Sequence, residues 1–313
     1  MGALYPGPEP APPTRMPGRP CVAVDQTLFA SPLARVGRFR CPVNDRQFRD
    51  LDRTDEYLFV FPRTAVWIAH EGESPLVADP NVVPQYNAGQ HFHRRPISAA
   101  GDRTDWFAVS PAVLRDALKS TDPGVVDREF LFRRAAVPSS PQTFLFQRRV
   151  VNYLCATESP DSLLVEEAVI RLLAQVLQTS ARDSPGTGPL AARELVEETA
   201  AQLNGSFLLG GSLGALAASV RTSVFHLCRV FKNTTGQTIH GYRTQLRLRR
   251  SLELLKRGDG DILATALAVG FSSHSHFTRV FHRALGITPS DYKLESPRAA
   301  ARRRRECVSE ELS

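Results

Sequence analysis

No run of about 18 apolar residues occurs anywhere in the 313-residue chain, so nothing in it reads as a membrane-spanning helix and no membrane partner is expected. Cysteine is sparse. Cys21, Cys41, Cys155, Cys228 and Cys307 lie far apart, are odd in number and form no CxxC pair, which fits inert thiols in a reduced, cytoplasmic protein. Residues 1–20 hold seven prolines and no apolar stretch, which makes them neither a signal peptide nor a core element. A nucleophile elbow, a phosphate-binding loop and a dinucleotide fingerprint are all missing, so no catalytic residue and no cofactor is expected. His91 and His93 form an HxH pair of the kind a strand aims to one side. With no suitably placed third ligand before the PISAAGD turn, the pair reads as polar rim histidines and not as a metal site.

The most informative feature is a block that occurs twice, fifty positions apart. Ser223, His226, Arg229, Val230, Phe231, Gly236, Thr238 and Tyr242 are matched by Ser273, His276, Arg279, Val280, Phe281, Gly286, Thr288 and Tyr292. Each copy runs from a polar capping residue through an exposed Arg and an inward Phe to a Gly that closes a helix. Two copies are too few for a repeat array, so each reads as a helical unit with its own core. A second short helix precedes each copy. Leu213, Leu216, Ala217 and Val220 fall at helical spacing before Ser223 caps residues 224–232; Asp261 caps residues 262–269, Gly270 takes a left-handed turn, and the next helix begins after Ser272 or Ser273. Between the units, Ile239, Tyr242, Leu246 and Leu252 mark the apolar side of a longer helix. Arg243, Arg247, Arg249 and Arg250 are left for solvent or phosphate.

Residues 191–293, through LAASVRTSVFHLCRVFKNTTGQTIHGYRTQLRLRRSLELL and ILATALAVGFSSHSHFTRVFHRALGITPSDY, resemble the AraC/XylS family of bacterial transcription regulators. The resemblance implies two helix-turn-helix units whose second helices read bases in double-stranded DNA. It carries base reading onto Phe225, Cys228, Arg229, His274, Ser275, Thr278 and Arg279, with Lys232, Arg243, Arg247 and Arg250 on the phosphate backbone. Arg229 and Arg279 stand out because a guanidinium can bond guanine O6 and N7 together. His226 and His276 fit packing or phosphate contact equally. Arg221 departs from the family pattern by standing where the first turn usually has Gly, and Thr222 stands where an apolar residue usually packs.

Charge agrees with a polyanion partner. Residues 191–313 hold 18 basic and 11 acidic side chains, which accounts for the whole excess of +7, whereas the 21 basic and 21 acidic residues before them cancel. The sequence divides into a Pro-rich extension (1–20), a sensing and dimerisation domain (21–180), a linker (181–190) marked by ARDSPGTGP, the DNA-binding domain (191–293) and a basic tail (294–313) containing Arg302 to Arg305.

Short runs at 22–29, 56–61, 65–70, 76–78, 82–87 and 105–110 read as strands, with His70, Trp67, Tyr86 and Trp106 as core. Helical patterns follow at 112–119, 142–155 and 163–179, the last with Leu164, Ala168, Ile170, Leu173 and Leu177 as a possible dimer seam. The expected class is α+β, an N-terminal cupin-like β-barrel with following helices and a C-terminal all-α domain. DxxNVVPQYNAG with GDRTDWFAVSP looks like this kind of sensing domain. The resemblance implies a homodimer controlled by a small-molecule effector, with RNA polymerase as partner if the protein activates. The alternatives are a constitutive regulator whose barrel only dimerises, and a metal-dependent cupin enzyme fused to a DNA-binding module.

Overall fold

The computed structural model describes residues 23–48, 51–119, 125, 128, 130–182, 189–206, 208–256 and 261–295. The Pro-rich extension, most of the expected linker and nearly all of the basic tail lie outside the described residues, as do Cys21 and Cys307.

The first half is built on ten strands: β1 (Val24–Ala30), β2 (Ala34–Cys41), β3 (Asp52–Arg53), β4 (Tyr57–Pro62), β5 (Val66–His70), β6 (Leu76–Ala78), β7 (Val82–Tyr86), β8 (His91–Pro96), β9 (Asp102–Val109) and β10 (Ala136–Pro138). They form two sheets, ordered β1-β2-β9-β4-β7-β10 and β3-β8-β5-β6. The paired strands are antiparallel. No closed barrel is present among the described residues: β1, β10, β3 and β6 remain edges. At one of these edges the Val77 N–H on β6 donates to the Glu197 carboxylate, 2.5 Å away, where barrel closure would need another strand.

Alternation along β4 explains how the larger sheet is buried on both faces. Tyr57, Phe59 and Phe61 point into one apolar cluster and Val60 into another, and on β9 Phe107 and Val109 alternate in the same way with Trp106 and Ala108. One cluster fills the space between the sheets, where Trp106, Tyr86 and Val60 meet Phe92, Ile68 and Val66. Phe59 and Phe107 stack 5.4 Å apart on the other face, beneath two helices. Trp106 lies over Gly37, its partner across the β2–β9 ladder, and its indole N–H donates to Asp25. A Cβ at Gly37 would come within 2.2 Å of the indole ring, so only glycine fits there.

After α1 (Pro111–Lys119), α2 (Pro141–Ala156) and α3 (Ser162–Arg182) cover the larger sheet. Ser140 caps α2 by accepting from the Thr143 N–H, with Pro141 in the first turn. Ala168 and Leu173 are buried in the core, which corrects the seam read along α3: the side left open carries Leu163 and Ile170. Among its described residues the second half has helices and connecting turns but no strand: α4 (Leu190–Asn204), α5 (Leu213–Ser219), α6 (Val224–Thr235), α7 (Ile239–Leu255), α8 (Ile262–Ala268), α9 (His274–Leu285) and α10 (Pro289–Leu294). The protein is therefore α+β, with N-terminal sheets and C-terminal helices.

The halves do not have separate cores. Phe144 and Leu145 of α2 belong to one continuous cluster with Leu248 and Leu252 of α7, Phe271, and Phe277 of α9. Replacing Gly37 by alanine should force the Trp106 ring aside at a cost of about 1 to 3 kcal/mol. Thermal unfolding of Gly37→Ala checks this, and an unchanged midpoint would refute the close packing.

Candidate nucleic-acid interface

Two helix pairs, α5 with α6 and α8 with α9, carry the repeated block, and equivalent residues do equivalent work. Ser223 caps α6 through the His226 N–H, and Ser273 caps α9 through the His276 N–H. Gly236 (φ 72°) and Gly286 (φ 76°) end those helices in the left-handed region. Thr238 and Thr288 then cap α7 and α10. The inward aromatics repeat too: Phe231 meets Tyr242 at 5.3 Å, and Phe281 meets Tyr292 at 6.4 Å.

The turns inside the pairs differ. In the second, Gly270 (φ 84°) donates to Leu267 O and Phe271 donates to Ala266 O. In the first, the same two bonds run from Arg221 to Ala218 O and from Thr222 to Ala217 O, so Arg221 occupies the place of Gly270. Its φ of 55° makes it the single non-glycine residue at positive φ among the described residues. The second turn also has one more residue before its cap, Ser272, which accounts for the fifty-residue offset of the helices against forty-nine for the turns.

Most residues expected to face DNA are open. Phe225, Cys228 and Arg229 on α6 are exposed, as are His274, Ser275 and Arg279 on α9. Phe225 keeps 77% of its surface, an unusual amount for a phenylalanine with no partner to cover it. Thr278 is half-buried with its hydroxyl shielded. His226 and His276 are both exposed, and His276 also lies edge-on to Phe271. Lys232 and Arg250 are exposed, and Arg243 is half-buried, with only long 3.5 Å approaches to Gly210 O and Gly211 O. Two arginines on α7 are not where the sequence suggested. Arg247 is half-buried and donates to Leu208 O (2.8 Å) and Gly270 O (3.0 Å), and Arg249 is only 3% exposed. His91 and His93 point away from the inter-sheet core, into which their neighbours Phe92 and Arg94 turn. Among the described residues no group of three metal-ligating side chains converges.

The family described as "Helix-turn-helix domain" matches residues 216–295. "Probable transcription factor PqrA" of Proteus vulgaris is 34% identical over 84 residues, which are 27% of this chain and 69% of that one. The chain belongs to the AraC/XylS family of transcription regulators. "HTH-type transcriptional activator RhaR" of Pectobacterium atrosepticum is 30% identical over 139 residues, 44% of this chain and 49% of that one. The chain thus spans about half the length, or less, of the first curated relatives it matches. A crystal structure of ToxT from Vibrio cholerae is 16% identical and covers 83% of this chain and 98% of its own, with a TM-score of 0.33 that carries no weight.

In this AraC/XylS chain the inner side of α7 is held to the sheets by a buried polar network that the sequence reading missed. The Asp79 carboxylate, fully buried in the β6–β7 turn, accepts from the Tyr242 hydroxyl (2.8 Å), the Asn204 amide (2.6 Å) and the Asn81 N–H (2.8 Å). Asn81 donates to Tyr242 O, and its own side-chain oxygen accepts from Arg249, which also donates to Ser139 O and lies over the Phe144 ring. Burial pushes the Asp79 carboxyl up and the Arg249 guanidinium down to about 10. Further along α7, Glu253 pairs with Arg63 and Arg103, and Glu295 just beyond α10 pairs with Arg149.

A signal for Arg249 was present. It stands seven residues after Tyr242 and three after Leu246, on the apolar stripe of α7 and not opposite it.

Two outcomes follow from this geometry. Arg221→Gly should relieve a left-handed arginine worth about 1 to 2 kcal/mol, offset in part by the freer unfolded chain; a thermal midpoint that rises by a few degrees checks it. Glu197 behaves differently with pH. Burial raises its carboxyl from 4.5 to about 7, so the fold favours the protonated form, whose contribution is complete below 4.5 and is lost as pH rises through about 7. Glu197→Gln should therefore leave the midpoint unchanged below pH 4.5 and raise it above pH 7, measured by thermal unfolding across that range.

Proposed function

We propose that this AraC/XylS protein is an intracellular, sequence-specific transcription regulator in which both helix pairs act as helix-turn-helix units. The observation that carries this reading is the exposure, on two equivalently capped helices, of Arg229 and Arg279 at matching positions of the repeat. Such helices enter successive major grooves about 34 Å apart when held on one face of the duplex. Arg250 and Lys232, exposed beside them, suit phosphate contact.

The N-terminal sheets are the sensing half in this reading, with a small-molecule effector bound in a cupin-like arrangement of the strands. Supporting it, the inter-sheet core contains polar atoms that have no hydrogen-bond partner within the protein: both ring nitrogens of His70, Nε of Arg94 and Oδ1 of Asp102. An effector bound there would reach DNA through the Asp79 network and the shared core, biasing two arrangements of the halves by a coupling of about 1 to 3 kcal/mol. The homodimer belongs to the same proposal, with Leu163 and Ile170 of α3 exposed seven residues apart. RNA polymerase is the further partner if the protein activates, as RhaR is named to do.

The test is selection of bound sequences from a random DNA pool by the full-length protein, since cutting between the halves would strip Leu248, Leu252 and Phe277 of their α2 partners. A motif with two half-elements about one helical turn apart is the expected result; salt-sensitive binding without enrichment would sink the proposal. Arg229→Ala and Arg279→Ala should each relax preference at particular base pairs, at about 1 to 3 kcal/mol, roughly 5- to 150-fold. Arg250→Ala should weaken all sequences alike and reduce the salt slope by about one. Binding titrations on selected and random duplexes at several salt concentrations separate the two classes.

A further inference from the structure

Arg247 sits midway along α7, the helix that joins the two pairs, and its guanidinium is already engaged. Nε donates to the carbonyl of Leu208, in the loop that leads into α5, at 2.8 Å. Nη1 donates to the carbonyl of Gly270, in the turn between α8 and α9, at 3.0 Å. One side chain thus bridges the entrance of the first pair and the turn of the second. A planar fork with donors on separate nitrogens suits this task, because two carbonyls held at fixed directions define an orientation that a single ammonium cannot. The turn is shaped around it. Gly270 is left-handed, and a Cβ there would lie 3.0 Å from Cζ and Nη2 of Arg247 and 3.1 Å from Leu209 O. The three segments meet so closely that the second pair cannot rotate about α7 without breaking one of the two bonds.

We propose that Arg247 is a positioning residue that fixes the phase between the two DNA-reading helix pairs, and so sets the spacing between half-elements that the protein accepts. The proposal rests on the DNA reading above and changes the role the sequence assigned to Arg247, from phosphate contact to strut. A strut and a phosphate contact leave different signatures. Loss of a phosphate contact weakens every duplex and lowers the salt slope. Loss of a strut leaves each pair able to read its own half-element but lets the pairs drift in phase.

Using the full-length protein, affinity is measured for a duplex carrying both selected half-elements, for versions with one base pair inserted or removed between them, and for a duplex with one half-element. Wild type should favour the selected spacing by about 5-fold or more, since even one mismatched base pair costs about 1 to 3 kcal/mol. Arg247→Met should bring the three spacings to within a few-fold of one another, leave the single half-element unchanged and keep the salt slope. Arg247→Lys, able to reach one carbonyl but not both, should fall between, and it is the variant to use if Arg247→Met does not fold. Gly270→Ala, which crowds the same guanidinium from the other side, should also blur the spacing. If the variants keep wild-type discrimination between spacings, or lose affinity equally on every duplex with a slope lower by about one, the strut is overturned while the DNA reading stands. If wild type selects no motif at all, the DNA reading itself fails and the strut goes with it.

Discussion

Burying a carboxylate is expensive unless every oxygen finds a donor, and the structure meets that condition at Asp79 by drawing the donors from three places. Asn204 comes from α4, Tyr242 from α7, and the Asn81 N–H from the turn itself. The carboxylate is satisfied only when the helical half is docked. Removing the C-terminal half would leave it with the turn N–H alone, and truncating Tyr242 or Asn204 would remove one donor while the burial persists. Arg249 extends the same logic, since its donors go to Asn81 and to Ser139 of the first half. The relative placement of sheets and helices follows from these satisfied polar groups as much as from the apolar contact between α2 and α7.

The sequence was most legible where local rules decide structure. Caps at Ser223 and Ser273 and left-handed glycines at Gly236, Gly270 and Gly286 all emerge from residue type and spacing, because each acts within one turn of chain. It was least legible where one strand's neighbours decide. β2 (ARVGRFRC) and β8 (HFHRRP) were not read as strands, since their arginines and histidines mask the alternation. In the fold Arg38 turns toward Asp105, and Arg94 lies buried between Asp52 and Asp102 with its guanidinium over Phe39. Those pairings are long-range and leave no periodic trace. Sheet closure was misjudged for a similar reason: whether β6 meets another strand or a glutamate from α4 depends on a helix more than a hundred residues away.

The candidate interface divides along the same line. Exposure of Arg229, Arg279 and Arg250 could be anticipated because those positions fall opposite the buried Phe231, Phe281 and Leu252 on their helices. Arg247 and Arg249 could not be separated from Arg250 by charge alone. All three are arginines within four residues on one helix, yet one bridges two carbonyls, one is locked against the first half and one is free of both tasks. Rotation about the helix axis, at 100° per residue, is what distinguishes them.

The common core of the two halves has an evolutionary side. A recombination event joining this sheet-bearing half to another family member's helical half would have to match the apolar faces of α2 and α7, and would also need an arginine opposite Asn81 and a tyrosine opposite Asp79. Crossovers that break those pairs would leave an unsatisfied carboxylate or an uncompensated guanidinium in the interior. Lineages of this architecture should therefore diversify in place, by substitution on the open faces of α6 and α9, more readily than by trading whole halves.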